Sequence, residues 1–284
     1  MKKIIKNIVT VFELLKNYPV SLFGGFRRKA LFKDIETYCM FIGYPASGHS
    51  LIGALLDANP NIIIANELGE LKYILAKYSQ NQIFYLLLKK SQFYAKHKKV
   101  RGGYLNIVPG QWQGKFEKLR VIGDKHGEGV TLRLQKRPWL LSHLRKTVRV
   151  KLKFIHVIRN PYDSISTICK KAKKHDLNPD LKECIGYYFS LCETVVSITK
   201  HVEDTDIFEL RHESFIVDPK DYLKKLCQFL GVEPSEDYLN DCASIVFKTP
   251  HKSRYDIQWS NELIEMVKNK IKKFPFLHGY AYED

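Results

Sequence analysis

Residues Cys39-Met-Phe-Ile-Gly-Tyr-Pro-Ala-Ser-Gly-His-Ser-Leu-Ile-Gly-Ala-Leu-Leu-Asp57 decide how this chain is read. Tyr38–Ile42 is a short apolar run suited to a central parallel strand. Pro45 ends the run, and Gly48 lets backbone approach backbone. From His49 onward, Leu51, Ile52, Leu55 and Leu56 share one helical face, with Ser50 and Asp57 off it. A strand, a small-residue turn and a helix N-terminus together present unpaired amides backed by a positive dipole. That arrangement suits a phosphate-like anion. Ser47, His49 and Ser50 add side-chain donors. An ordinary strand-to-helix turn is the plain competitor. The nucleotide-triphosphate loop G-x-x-x-x-G-K-[ST] is not matched, because His49 stands where its Lys belongs.

The other strands repeat the pattern. Ile62–Ala65 is wholly apolar and ends at Asn66-Glu67. Leu119–Gly123 delivers Asp124-Lys125-His126, and Lys153–Ile158 runs into Arg159-Asn-Pro-Tyr-Asp163. Asp206–Leu210 ends in Arg211-His212-Glu213. Helical patterns fill the intervals, two of them over Leu68–Tyr78 and Gln82–Lys98, and Pro161 and Pro219 fit first helical positions. Gly231 closes the helix that Pro219 opens. Alternating strands and helices predict an α/β fold, a doubly wound and mostly parallel sheet flanked by helices. Polar groups then collect at one edge of that sheet: Ser47–Ser50, Glu67, Lys125 and Arg159. Each alone reads equally well as a cap or a surface charge; their common placement favours a site.

The chain's 284 residues suffice for one α/β domain, and 45% hydrophobic with 12% aromatic residues describe a globular protein. The formal charge of +16 favours polyanionic partners such as nucleotides, acidic glycans or anionic lipid. Residues 1–36 form a basic N-terminal segment expected to pack on the domain of 37–284. Within it Ile4, Ile5, Ile8, Val9, Phe12 and Leu15 line one side, and peripheral membrane contact through residues 1–29 stays open. Six cysteines lack metal-ligand spacing; they read first as free buried thiols in a reducing compartment, with a pair formed by chance of folding left open. No stretch suits a membrane span, and Lys6 and Glu13 break the only candidate leader, so a cytoplasmic protein is expected.

These motifs resemble those of sulfotransferases that use 3′-phosphoadenosine 5′-phosphosulfate (PAPS), most of all the tyrosylprotein sulfotransferase type. The resemblance rests on Pro45-Ala-Ser-Gly-His-Ser-Leu51, Leu56-Asp-Ala-Asn-Pro60, Arg159-Asn-Pro-Tyr-Asp163, and Phe229-Leu-Gly231 after His212-Glu213. It implies a P-loop-like sulfotransferase fold, with loop residues Ala46, Ser47, Gly48, His49 and Ser50 holding the 5′-phosphosulfate. It further implies Glu67 as general base, Lys125 as the cation on the transferring group, and Arg159 with Thr167 on the 3′-phosphate. His212, Lys252, Ser253 and Arg254 correspond to nucleotide contacts. No metal is implied, and no nucleic acid. The family has Lys or Arg at the position of Ala46, so His49 or Lys125 is expected to supply that charge. A non-catalytic polyanion or nucleotide binder is the alternative, ahead of a P-loop kinase. The acceptor is an unspecified hydroxyl on a saccharide, peptide or small molecule. Gln111-Trp112-Gln113, Trp139 and Lys170–Lys174 are candidates for its pocket.

Overall fold

The computed structural model describes residues 2–97, 100–101, 104–105, 107–174 and 177–284, with side chains from residue 8 onward and none for 98–106. Parts of the Gly-rich stretch 101–116, the end of the helix expected to reach Lys98, and the side chains of Ile4 and Ile5 lie outside the described residues.

Among the described residues, seven strands follow in chain order: β1 (Thr37–Ile42), β2 (Ile62–Asn66), β3 (Val100–Arg101), β4 (Tyr104–Leu105), β5 (Val121–Lys125), β6 (Lys151–Ile158) and β7 (Ile207–Arg211). β3 and β4 form a short antiparallel pair; the other five make one parallel sheet in the order β2-β5-β1-β6-β7. Helices α1 (Lys2–Arg27), α2 (His49–Asp57), α3 (Leu71–Leu75), α4 (Gln80–His97), α5 (Gly127–Lys136) and α6 (Leu140–Val148) belong to the first half. The second half holds α7 (Pro161–Lys173), α8 (Leu181–Thr199), α9 (His212–Val217), α10 (Pro219–Leu230), α11 (Glu236–Ser244) and α12 (Asn261–Ile271).

The central strand β1 is buried at every residue, as a strand covered on both faces must be. Its alternate side chains feed two cores. Tyr38, Met40 and Ile42 join Phe84 and Leu87 of α4 and Leu144 of α6. Cys39 and Phe41 join Leu51 and Leu55 of α2 and Leu226 of α10 on the opposite face. A third cluster links α7, α8 and α12 through Ile165, Tyr188 and Val267. The doubly wound architecture read from the sequence is the one observed, and the ends of β1, β2, β5, β6 and β7 meet at one edge.

The leading reading of free thiols is corrected at one pair, the alternative left open: Cys169 of α7 and Cys184 of α8 are joined in a disulfide, their Cα atoms 6.0 Å apart. Cys39, Cys192, Cys227 and Cys242 are free and buried. The pairing needs α7 and α8 to lie side by side, which the spacing of the cysteines did not reveal. It also removes the cysteine argument for a reducing compartment. Among the described residues, no helix is long and apolar enough to cross a membrane.

Gly123 of β5 lies opposite Cys39 of β1, and a Cβ there would stand 2.0 Å from the Cys39 carbonyl oxygen. Neither backbone can yield without breaking the ladder. Gly123→Ala is expected to destabilise the protein by at least about 3 kcal/mol in urea unfolding; a loss below about 1 kcal/mol would show that the two strands can part.

Candidate active site

The loop after β1 turns through three left-handed residues, Gly43 (φ 132°), Ala46 (φ 65°) and Gly48 (φ 103°), before α2 begins at His49. The Gly43 amide donates to Thr131 Oγ1 of α5 at 2.8 Å, which fixes the start of the turn. Gly48 also needs its missing side chain, since a Cβ would meet His212 Nδ1 at 2.5 Å. The Leu51 and Ile52 amides already bond the Gly48 carbonyl (3.0 and 3.3 Å), so the amides at the very start of α2, with the positive end of the helix dipole, are the ones directed at the loop. The strand, small-residue turn and helix start expected to cradle an anion are in place.

His49 does not face that cradle as a cation. Its ring is buried, with Nε2 3.1 Å from the Ile42 carbonyl and Nδ1 3.1 Å from Ser47 Oγ. Nε2 therefore carries the proton and donates to the carbonyl, and Nδ1 meets the hydroxyl. Burial, reinforced by the nearby Lys125 charge, pushes the imidazole down to about 3. The ring is neutral, so the expectation that His49 replaces the cation missing at Ala46 is not supported.

The charge lies instead at the ends of β2 and β5. Parallel pairing sets Asn66 beside Lys125, and Glu67 follows in a left-handed conformation (φ 60°). Lys125 Nζ donates to Glu67 Oε1 at 2.9 Å and to Ser50 Oγ of α2 at 3.1 Å. The lysine side chain is 5% exposed and the glutamate 35%, so the carboxylate is the partner open to solvent. Behind them, the Asp124 carboxylate accepts the amides of Leu68 (3.0 Å) and Gly69 (2.7 Å). Those two bonds hold the segment on which Glu67 turns. Glu70 is fully buried beside Asp124, and burial together with the Asp124 charge raises its carboxyl well above the usual range. Asp124 and Thr131 were not singled out in the sequence. The signal for Asp124 was an acidic residue one position before Lys125 on an otherwise buried strand.

Beyond β6, Arg159 reaches back to the loop. Its Nη1 donates to the Ala46 carbonyl at 3.1 Å, and its Nη2 donates to the His251 carbonyl. Thr167 lies two turns along α7, and its hydroxyl donates to the Asp163 carbonyl at 2.9 Å. His212 is buried against Gly48; burial, with Arg159 nearby, lowers its ring to about 3. Glu213 accepts the Asn160 amide (2.9 Å) and the Tyr280 hydroxyl (2.7 Å), fastening the start of α7.

The basic stretch near residue 252 divides. Lys252 is exposed, whereas Ser253 is buried with its hydroxyl on His251 Nδ1. Arg254 is also buried: its amide donates to Asp163 Oδ1, and its guanidinium donates to the carbonyls of Ala281 and Asp284 (both 3.1 Å). Arg254 is thus tied to Asp163 and to the C-terminal segment, whereas Lys252 beside it is exposed.

Of the acceptor candidates, Gln113 lines a pocket with Ser50, Lys125, Asn66 and Tyr94, its amide donating to the Ala54 carbonyl at 3.1 Å. Trp112 and Trp139 are exposed and line none of that pocket. Lys170 pairs with Asp256.

With this geometry in hand, the comparisons decide the family. The sequence profile described as "Sulfotransferase family" matches residues 40–237. The chain belongs to the sulfotransferase family. No curated protein matches it. Among solved structures it is similar to a sulfotransferase domain from the Synechococcus PCC 7002 olefin synthase, at 14% identity and a TM-score of 0.50, covering 85% of this chain and 95% of that one. A sulfotransferase of Mycobacterium avium gives 10% identity and a TM-score of 0.51, covering 93% and 80%. One of Mycobacterium tuberculosis H37Rv gives 9% and 0.50, covering 88% and 80%. At such identities the likeness establishes the sulfotransferase fold.

The two neutral histidines make stability depend on pH. In the unfolded chain they ionise near 6.5, in the fold only near 3, so the unfolded chain takes up protons first as pH falls. The stability they carry at neutral pH is lost downward from about 6.5, on the order of 2 kcal/mol per ring by about pH 5. Asp57, whose carboxyl burial raises to about 7, works in the opposite sense, so comparison with variants isolates the rings. In urea unfolding at about pH 7.5 and about pH 5, His49→Gln should shrink the difference by about 2 kcal/mol, and His212→Gln likewise. An unchanged difference would mean that the rings are charged in the fold.

Proposed function

We propose that this sulfotransferase moves a sulfuryl group from PAPS to an acceptor hydroxyl, with Glu67 as general base. The observation that carries the reading is the Glu67–Lys125–Ser50 group, a solvent-open carboxylate and a buried ammonium at the mouth of the anion cradle.

The amides of the loop and of the first turn of α2, with Ser47 and Ser50, take the 5′-phosphosulfate. The acceptor oxygen attacks sulfur as the bond from sulfur to the 5′-phosphate oxygen breaks, releasing 3′-phosphoadenosine 5′-phosphate. The hydroxyl proton passes to Glu67, whose carboxylate is open to solvent. Lys125 stabilises negative charge on the transferring group and the leaving phosphate, as fixed cations do in phosphoryl transfer. With Ala46 in place of a cation and His49 neutral, Lys125 is the one basic side chain among the residues assigned to the reacting end. Arg159 and Thr167 take the 3′-phosphate, Arg159 through a guanidinium already held near the loop. Lys252 closes over the nucleotide, and His212 supports the loop from beneath. The pocket lined by Gln113, Asn66 and Tyr94 receives the acceptor, since it opens beside Lys125.

Two variants test the assignments with radiolabelled PAPS and a panel of saccharide, peptide, lipid and phenol acceptors. Glu67→Gln should lower kcat at least about 10²-fold while leaving the Kd for 3′-phosphoadenosine 5′-phosphate nearly unchanged; an undiminished rate removes Glu67 from the base role. Arg159→Ala should weaken binding of that nucleotide far more than binding of adenosine 5′-phosphosulfate. Equal losses would refute the 3′-phosphate assignment.

A further inference from the structure

Helix α1 is docked with the opposite face from the one expected of an amphipathic helix. Its polar and small residues meet the protein. Glu13 pairs with Lys72 and accepts from the Tyr73 hydroxyl, and Asn17 donates to the same hydroxyl. Gln82 donates to Ser21 Oγ, and Tyr78 donates to the Leu14 carbonyl. Gly24 lies so close to α4 that a Cβ would enter the Tyr85 ring. The apolar residues are left outside: Phe12, Leu15 and Phe26 are each 69% exposed, Phe23 64% and Ile8 62%. At 100° per residue these five fall on one side of the helix. A solvent-facing apolar stripe of this length, held in place by polar contacts beneath it, calls for a covering layer.

The charges around the stripe indicate which layer. The only acidic residue of α1 is Glu13, which lies off the stripe and is ion-paired with Lys72, so among the described residues the stripe is flanked by basic groups. Lys16, Arg27, Arg28, Lys29 and Lys33 are exposed along it and just beyond its end. Arg27 lies over the Phe23 ring at 5.4 Å and Lys29 over Phe26 at 5.4 Å, placing cations beside the rings that would enter an apolar phase. The formal charge of +16 opposes close approach of a second copy and favours an anionic surface. We propose that α1 is an interfacial helix that seats the protein on an anionic lipid bilayer, with Phe12, Leu15, Phe23 and Phe26 in the acyl boundary and the basic residues at the headgroups.

The test is flotation with vesicles of phosphatidylcholine containing phosphatidylglycerol, against phosphatidylcholine alone. The protein should float with the mixed vesicles. The exposed double substitution Phe12→Ser with Phe23→Ser should weaken partitioning at least about tenfold and leave the unfolding midpoint unchanged. Separately, Phe23→Trp should add fluorescence that brominated acyl chains quench. Absence of flotation overturns the proposal. So does flotation that the double substitution leaves intact and salt abolishes, because bulk charge then suffices. A lipid-free dimer that the double substitution dissociates would give the stripe to a second copy instead, and also overturns it. None of these outcomes bears on the catalytic assignment, since transfer is assayed separately.

Discussion

Parallel pairing of β2 with β5 sets Asn66 opposite Lys125, and the arrangement of reactive groups follows from that register. A slip of one residue would turn Lys125 to the other face of the sheet and separate it from Glu67. Strand pairing alone does not bring the carboxylate inward, however. Glu67 is left-handed, a conformation that costs about 1 kcal/mol or more for a residue with a side chain. The amides of Leu68 and Gly69 on Asp124 hold the segment there. Asp124 is thus to the Glu67 turn what Thr131 is to the turn at Gly43: a buried acceptor from a neighbouring element that fixes where the backbone bends.

The site concentrates its permanent charge by keeping nearby ionisable groups neutral. His49 and His212 flank the loop as uncharged rings because both are buried close to cations. A protonated imidazole in either place would repel Lys125 or Arg159. Two positive poles therefore remain, Lys125 at the end of β5 and Arg159 at the end of β6, on either side of the loop that follows β1.

Much of the fold was legible because it is written in local patterns. Apolar runs at Tyr38–Ile42 and Ile62–Ala65, with Pro161 and Pro219 opening helices and Gly231 closing one, locate elements without tertiary information. The polar strand ends at Glu67, Lys125 and Arg159 were legible for the same reason, since parallel strands deliver them to one edge. What the sequence hid depends on contacts between distant segments. The His49 ring fits only because Gly127 of α5 leaves room: a Cβ there would lie 2.4 Å from it. Arg254 looks like a free cation until the carbonyls of Ala281 and Asp284 take its guanidinium. The apolar period of α1 shows that the helix is two-sided, but the Tyr73, Tyr78 and Gln82 partners decide which side faces inward.

Helix α7 is fastened on both sides of Thr167. Toward its start, Asp163 is held by Arg254, and two residues past Thr167 the Cys169–Cys184 bond ties the helix to α8. The ring closed by that bond runs through the connection between α7 and α8. Fraying from that connection is therefore stopped at Cys169, before it reaches the threonine. The Glu67 side is held by hydrogen bonds and an ion pair. The two ends of the sheet edge thus differ in how they are fastened: the helix that carries Thr167 has a covalent tie, and the turn that carries Glu67 is held by polar contacts.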